Sequence, residues 1–327
     1  MKTSSKQISF IVTGAAGFIG WHLVKTLSSN KNYIIYAVDN LLKNTDNSSF
    51  YDLVRDNENV VHLNVDLTNL NDTLKLPAVD YLYHFAAING TQNFYNYPFD
   101  VVFNSTCSTL NILKYCFNSP PLRFIFAGTS ESYAGCEKYK ILQIPTPEST
   151  PLVIDDIKNV RWSYASSKIN GESAVVSASE QFKFDYTIIR FHNIYGPRMG
   201  VNHVIPDYLQ RISKGNSSLY GYQNTRSFLY IDDAVNDVIG VTFSDNFKNE
   251  IVNIGSSQEI SMEHLAHTIN ELLDFKGELI KHDAPLGSVK RRVPLLNFVD
   301  SVLGNNRKRT SLNEGLTRTI SYYLKNE

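Results

Sequence analysis

Three glycines, Gly14, Gly17 and Gly20, fall between a β-rich apolar run at 8–12 and a helical pattern at 17–29. A strand running through a tight turn into a helix uses such spacing well. Glycine allows the turn, lets the backbone approach a ligand, and lets helix and strand pack closely. The first N–H groups of the helix, at Phe18 and Ile19, then form an anion site suited to a pyrophosphate. The spacing is GxxGxxG, which differs from the GxGxxG of the general dinucleotide fingerprint. Asp39 supplies the second half of the signal. It closes the next strand, about 20 residues past the last glycine, where a carboxylate accepts from the ribose hydroxyls of adenosine. That carboxylate would repel a 2′-phosphate, and no arginine occupies 40–44. The site is predicted to take NAD, with Gly14, Gly17, Phe18, Ile19, Asp39 and Asn40 around it.

The glycine turn opens a longer rhythm. Further strand candidates lie at 33–38, 60–65, 81–86, 123–128 and 185–191, with helical patterns at 98–117 and 164–180. Strands alternating with helices give right-handed βαβ units and a parallel sheet covered on both faces. The expected fold is therefore α/β, a Rossmann doubly wound sheet over 1–191. Beyond it, 192–327 breaks into loops, short strands and helices and reads as a smaller substrate-binding cap, from which segments at about 228–255 are candidates to return to the first domain. Asp66 and Leu67 close the third strand, where a carboxylate suits the adenine amino group. Ala86 and Ala87 follow the fourth, where small residues let a dinucleotide lie on the backbone.

Composition excludes several classes of function. Lys and Arg number 31 against 32 Asp and Glu, a net charge of −1, so the chain carries no footprint for nucleic acid or an anionic membrane. No stretch approaches the roughly 20 apolar residues of a membrane span. Three cysteines are too few and too irregularly spaced for a disulfide framework or a zinc cage, so no metal is expected and the compartment reads as the reducing cytoplasm.

Tyr164-Ala165-Ser166-Ser167-Lys168 opens the helical pattern at 164–180 and puts a phenol and an ammonium one turn apart on one face. A phenol with an ordinary pKa near 10 is a poor base at neutral pH. A neighbouring ammonium favours its phenolate.

Taken together, these motifs resemble the extended short-chain dehydrogenase/reductase family of nucleotide-sugar epimerases and dehydratases. The supporting stretches are Thr13–Gly20, Asp39-Asn40-Leu41, His84–Ala87, Thr129–Tyr133, Tyr164–Lys168, Arg190–Arg198, Thr225–Asp233 and Val252–Gly255, in the family's order and over nearly the whole chain. The resemblance implies that Tyr164 removes the proton of the sugar C4 hydroxyl as C4 is oxidised by NAD. Lys168 tunes Tyr164 and binds the cofactor ribose, and Thr129 or Ser130 bonds the same hydroxyl. Glu131 would act beside the sugar in proton transfer next to C4, in dehydration or in loss of CO2. Thr129-Ser130-Glu131 lacks the Asp of the family's 4,6-dehydratases and is similar to its nucleotide-uronate decarboxylases. The stretches around Arg190 and Arg226 are similar to GDP-mannose 3,5-epimerase, which has a cysteine where Glu131 stands. Epimerisation is the first expectation; decarboxylation or net C4 oxidation is the alternative, and a non-catalytic NAD-binding regulator belongs to another class.

The resemblance also assigns the nucleotide end to Asn193, Arg226 and one of Arg291 and Arg292, with charge-assisted contacts to the diphosphate. A helix opening at Val204 offers its N-terminus to the same anion. The partner is thus a nucleotide-diphosphate sugar. Small residues in the helices at 98–117 and 164–180 (Ser105, Ser108, Ala165, Ser166, Ala174, Ser177) permit close packing, and the family's use of this helix pair implies a homodimer.

Overall fold

A computed structural model describes residues 7–42, 47–284 and 288–325. Strands β1 (Ile8–Thr13), β2 (Tyr33–Val38), β3 (Val60–Leu63), β4 (Tyr81–His84), β5 (Arg123–Thr129) and β6 (Asp185–Phe191) alternate with helices. The helices are α1 (Phe18–Ser28), α2 (Asn47–Arg55), α3 (Leu70–Thr73), α4 (Thr91–Asn96), α5 (Pro98–Asn118) and α6 (Ser163–Phe182). A further strand, Glu250–Ile254, pairs with β6 and completes a seven-stranded sheet. Its order is 250–254, β6, β5, β4, β1, β2, β3, and every neighbouring pair is parallel.

The strands read as near-continuous apolar runs because both faces of the sheet are covered. Alternation within a strand then decides which face each side chain serves. In β1, Phe10 and Val12 join Leu23 and Val24 of α1 and Ala234 and Val238 of the helix Ile231–Phe243. Ile11 enters the opposite cluster, with Ile112, Phe126 and Val175, on the side of α5 and α6.

Two strands are shorter than expected. The third ends at Leu63 instead of 65, because Asp66 turns the chain: its Oδ1 accepts from the Thr68 N–H and hydroxyl at 2.9 and 2.8 Å. The fourth ends at His84 instead of 86, because the N–H groups of Phe85 and Ala86 both reach the Thr13 hydroxyl of β1. Phe191 does not close the sheet, since the chain leaves β6 for about sixty residues and returns at Glu250, within the segment considered for such a return.

Apart from the helix Ile231–Phe243, which covers the central sheet, that excursion and the C-terminal segments build a small second layer. Thr225–Ser227 is flanked by Glu259–Ser261, antiparallel, and by Arg291–Arg292, parallel. Ser218–Tyr220 pairs with Ile280–His282, and a helix runs over Val204–Ser213. Among the described residues, no helix is long and apolar enough to cross a membrane.

Candidate active site

The glycine turn joins β1 to α1 at the carboxyl end of the sheet. Gly14 has φ +68°, and a Cβ there would stand 2.8 Å from the Ala86 nitrogen. At Gly20 a Cβ would fall 2.1 Å from the Gly14 carbonyl oxygen, so the first turn of α1 presses directly on the loop. Gly17 caps α1 without any side-chain bond, which leaves the first-turn N–H groups of Phe18 and Ile19 free of a capping side chain. Asp39 ties the neighbouring strand to this loop: Oδ2 accepts from the Ala16 N–H at 3.0 Å and Oδ1 from the Leu41 N–H at 2.8 Å. Asn40 similarly accepts from Leu42. The Ala16 and Leu41 bonds hold the Asp39 carboxylate at the end of β2, beside the glycine turn. Asp66 is exposed, Leu67 is buried, Ala86 is half-buried and Ala87 is exposed. Below the loop, buried His84 bonds the hydroxyls of Thr13 and Thr109, and burial drops its pKa to about 3. A neutral, fully bonded histidine here is a strut between β1, β4 and α5.

Tyr164 and Lys168 sit at the start of α6, both buried. Burial raises the Tyr164 pKa and the charge of Glu131 raises it further, whereas its hydrogen bond with the Thr129 hydroxyl lowers it. Burial lowers Lys168 to about 8, opposed by the carboxylate of Glu172. The Lys168 ammonium lies 4.8 Å from the Phe126 ring centre and 5.9 Å from that of Tyr164. Phe94 of α4 stacks on the Tyr164 ring, with centroids 5.2 Å apart and planes 9° from parallel. The ring is thereby held on one face, by a contact that no motif in the sequence signals.

Thr129 ends β5, and its hydroxyl accepts from the Glu131 N–H at 3.2 Å, so the chain turns immediately after the strand. Ser130 is buried. Glu131 emerges from this turn into a ring of cations. Arg292 donates to its Oε1 at 2.7 Å and Arg161 approaches Oε2 at 3.5 Å. Burial alone would raise the Glu131 pKa, but Arg292, Arg161 and Arg226 together pull it below the usual carboxylate range. Arg161 stacks over Trp162 and was not among the expected site residues. Its only signal in the sequence is a cation three positions before Tyr164.

The expected nucleotide-end residues separate into two groups. Arg226 lies opposite Arg292 in the small sheet and donates to the carbonyls of Thr225, Val289 and Lys290. Burial, reinforced by the charge of Arg292, lowers its pKa to about 10. Arg291 faces away, locked in a bidentate pair with Glu259 at 2.8 Å. Between the two candidates, the structure brings Arg292 to Glu131 and leaves Arg291 outside the cluster. Asn193, at φ +42°, donates to the Ser227 carbonyl, and Val204 begins its helix without a side-chain cap.

A Rossmann sheet with a glycine-lined helix N-terminus, an acid at the end of β2 and a buried Tyr–Lys pair defines a dinucleotide-dependent enzyme of the dehydrogenase type. The chain belongs to the NAD dependent epimerase/dehydratase family, whose model matches residues 10–255. It is accordingly an enzyme with NAD as its cofactor, and the Gly14 and Gly20 cradle, the open α1 N-terminus and Asp39 fit that group. A putative UDP-glucose 4-epimerase of Methanocaldococcus jannaschii is 28% identical over 322 residues, covering 97% of this chain and 98% of that protein. A UDP-N-acetyl-alpha-D-glucosaminuronate decarboxylase of Bacillus cytotoxicus is 29% identical over 276 residues, covering 83% and 82%. Among solved structures, a UDP-glucuronic acid 4-epimerase from Bacillus cereus shares the fold with a TM-score of 0.87 at 22% identity, covering 98% of this chain and all (100%) of that one.

Proposed function

We propose that this enzyme acts on a nucleotide-diphosphate sugar through oxidation at C4 to a 4-keto sugar, with epimerisation as the outcome. The single observation that supports this best is Tyr164, buried on α6 one turn before Lys168, with the Thr129 hydroxyl and an ionised Glu131 near it. Bound NAD+ supplies the hydride acceptor. Tyr164 accepts the C4 hydroxyl proton, Thr129 orients that hydroxyl, and the Lys168 ammonium favours the phenolate. Ser130 is the alternative partner for the hydroxyl. Once C4 is a ketone, the hydrogens on adjacent carbons are acidic. Glu131, kept as a carboxylate by Arg292 and Arg161, is placed to remove and return a proton there. Around the cofactor, Gly14, Gly17, Phe18 and Ile19 take the pyrophosphate and Asp39 with Asn40 the ribose. Asp66, Leu67, Ala86 and Ala87 line the rest of its groove. Asn193, the helix at Val204, Arg226 and Arg292 take the substrate diphosphate, the residues after 191 forming the substrate side of the cleft except for Ile231–Phe243 and Glu250–Ile254, which pack on the central sheet.

A second reading, loss of CO2 from a nucleotide uronate, is favoured by the same arginines. Three guanidinium groups against one carboxylate leave positive charge for an acidic sugar. Proton NMR in D2O with NAD+ and a panel of nucleotide sugars tests both. Deuterium beside C4 in a product isomeric with the substrate supports epimerisation next to C4. An isomeric product without deuterium confines the chemistry to C4 and leaves Glu131 a binding residue at most. Release of CO2 supports the second reading, and no conversion of any sugar defeats both.

The assembly we infer is a homodimer in the cytoplasm. Phe99, Phe103, Leu110 and Phe117 are exposed along one stripe of α5, beside Val176 of α6, and all three cysteines are free. Light scattering is expected to give a dimer, and Leu110→Asp a monomer.

A further inference from the structure

One turn beyond Lys168, a buried ion pair lies behind the Tyr164–Lys168 couple. Tyr164, Lys168 and Glu172 are spaced four residues apart and share a face of α6. Arg190 of β6 grips the Glu172 carboxylate with Nε at 3.1 and 3.2 Å and Nη2 at 2.7 Å. Glu172 is 4% exposed and Arg190 3%. Gly128 of β5 makes the room: a Cβ there would stand 2.8 Å from Glu172 Oε1. The second arm of the guanidinium, Nη1, donates to the Tyr133 hydroxyl at 2.8 Å and to the Glu148 carbonyl at 2.9 Å. Tyr133 lies two residues past Glu131, and its hydroxyl donates to Asn253 Oδ1 at 3.0 Å.

Buried ion pairs are an inefficient source of stability, because desolvation cancels most of their attraction. The position of this one explains its presence. It joins the turn that carries Thr129 to Glu131, the helix that carries Tyr164 and Lys168, strand β6 and the strand Glu250–Ile254. It also puts a fixed anion next to a buried lysine.

We propose that Glu172, locked by Arg190, is a positioning residue that holds Lys168 charged and in place, and that Tyr133 extends the same lock to the Thr129–Glu131 turn. The inference rests on the reading of Tyr164 and Lys168 as the proton-transfer pair. The titratable groups around Lys168 are Tyr164 and Glu172 on α6 and His84 on β4, which burial keeps neutral. Behind Glu172 stand the Arg190 guanidinium and the Tyr133 hydroxyl. Removing the anion lowers the pKa of each neighbouring group, so Lys168 gives up its proton at lower pH. Removing the Arg190 cation does the opposite.

The test needs no substrate. In protein labelled with 13C at the lysine side chains, the Lys168 resonance is assigned through Lys168→Arg and titrated with pH. The expected midpoint is near 8 in the parent. It is expected to fall by about half a pH unit or more in Glu172→Gln, and to rise by a similar amount in Arg190→Gln, as partly screened charges at this range require. Opposite shifts support the proposal, and if one variant fails to fold the other still decides by its sign. A midpoint unchanged in the variants, or displaced in the same direction in both, means the pair is packing only and overturns it. Tyr133→Phe, which leaves the ion pair intact, is expected to leave the midpoint in place; a fall there as large as in Glu172→Gln would mean that loosened packing and not the anion sets the midpoint, and overturns the proposal. A nucleotide-sugar panel left unconverted while these shifts appear would defeat the C4-oxidation reading and leave the role of Glu172 standing.

Discussion

The glycine turn and the charged ring around Glu131 lie at the same end of the sheet yet are built in opposite ways. The turn is made of backbone: Gly14, Gly17 and Gly20 are needed because a Cβ has nowhere to go or the helix must start bare. The ring is made of side chains drawn from distant segments, with Glu131 from the turn after β5, Arg161 from just before α6, and Arg226 and Arg292 from the second layer. In the function proposed above, the first region takes the cofactor through a fixed backbone shape and the second acts on the substrate through charge.

That contrast can be broken or sharpened by experiment. The largest effect is expected between the two regions, at the phenol. Tyr164→Phe should lower kcat by roughly 10²–10⁴-fold, with NAD affinity by calorimetry nearly unchanged; near-parent turnover would remove Tyr164 from the mechanism. Next comes the backbone region. Gly14→Ala meets Ala86 backbone atoms at 2.8–2.9 Å and a positive φ, and should cost about 2–3 kcal/mol, seen as a lower melting temperature together with weaker NAD binding. In the charged ring the signature is a pH profile instead. Arg292 holds the Glu131 pKa down, so Arg292→Gln should raise it, and activity that needs the carboxylate should disappear at a higher pH on the acid side, with roughly a tenfold loss of kcat/KM at neutral pH. An acid limb that stays in place would separate Glu131 from the proton transfer. The smallest effect is expected at Arg291, paired on the surface with Glu259. Arg291→Ala should alter stability by about 0.5 kcal/mol or less and turnover less than about twofold.

The same contrast explains what could be read from the chain before its structure. Gly14 to Gly20, Asp39 and the Tyr164–Lys168 spacing are local signals, each confined to one turn or one βαβ unit, and the fold follows from them. Strand lengths at 63 and 84 could not be read, because side-chain bonds from Asp66 and Thr13 end those strands early. Arg161 and the choice of Arg292 over Arg291 were also illegible. In a small sheet with a period of two, neighbouring arginines point to opposite sides, and only the register with Thr225–Ser227 decides which one meets Glu131. The stacking of Phe94 on Tyr164 depends on how α4 lies over α6, about seventy residues away in the chain.

The strand Glu250–Ile254 carries a consequence for how the protein is made. It is the last strand of the central sheet in the chain and lies against β6, which is complete by Phe191. On a ribosome adding roughly 5–20 residues per second, β6 therefore presents an unpaired edge for several seconds. A naked parallel edge is a template for pairing with other chains. Asn253, which reaches back to Tyr133, His192 and Thr146, locks the strand when it arrives. The nascent chain is thus most exposed to aggregation between these two points of synthesis, and a fragment ending before Glu250 should be far less soluble on expression than one that includes Ile254.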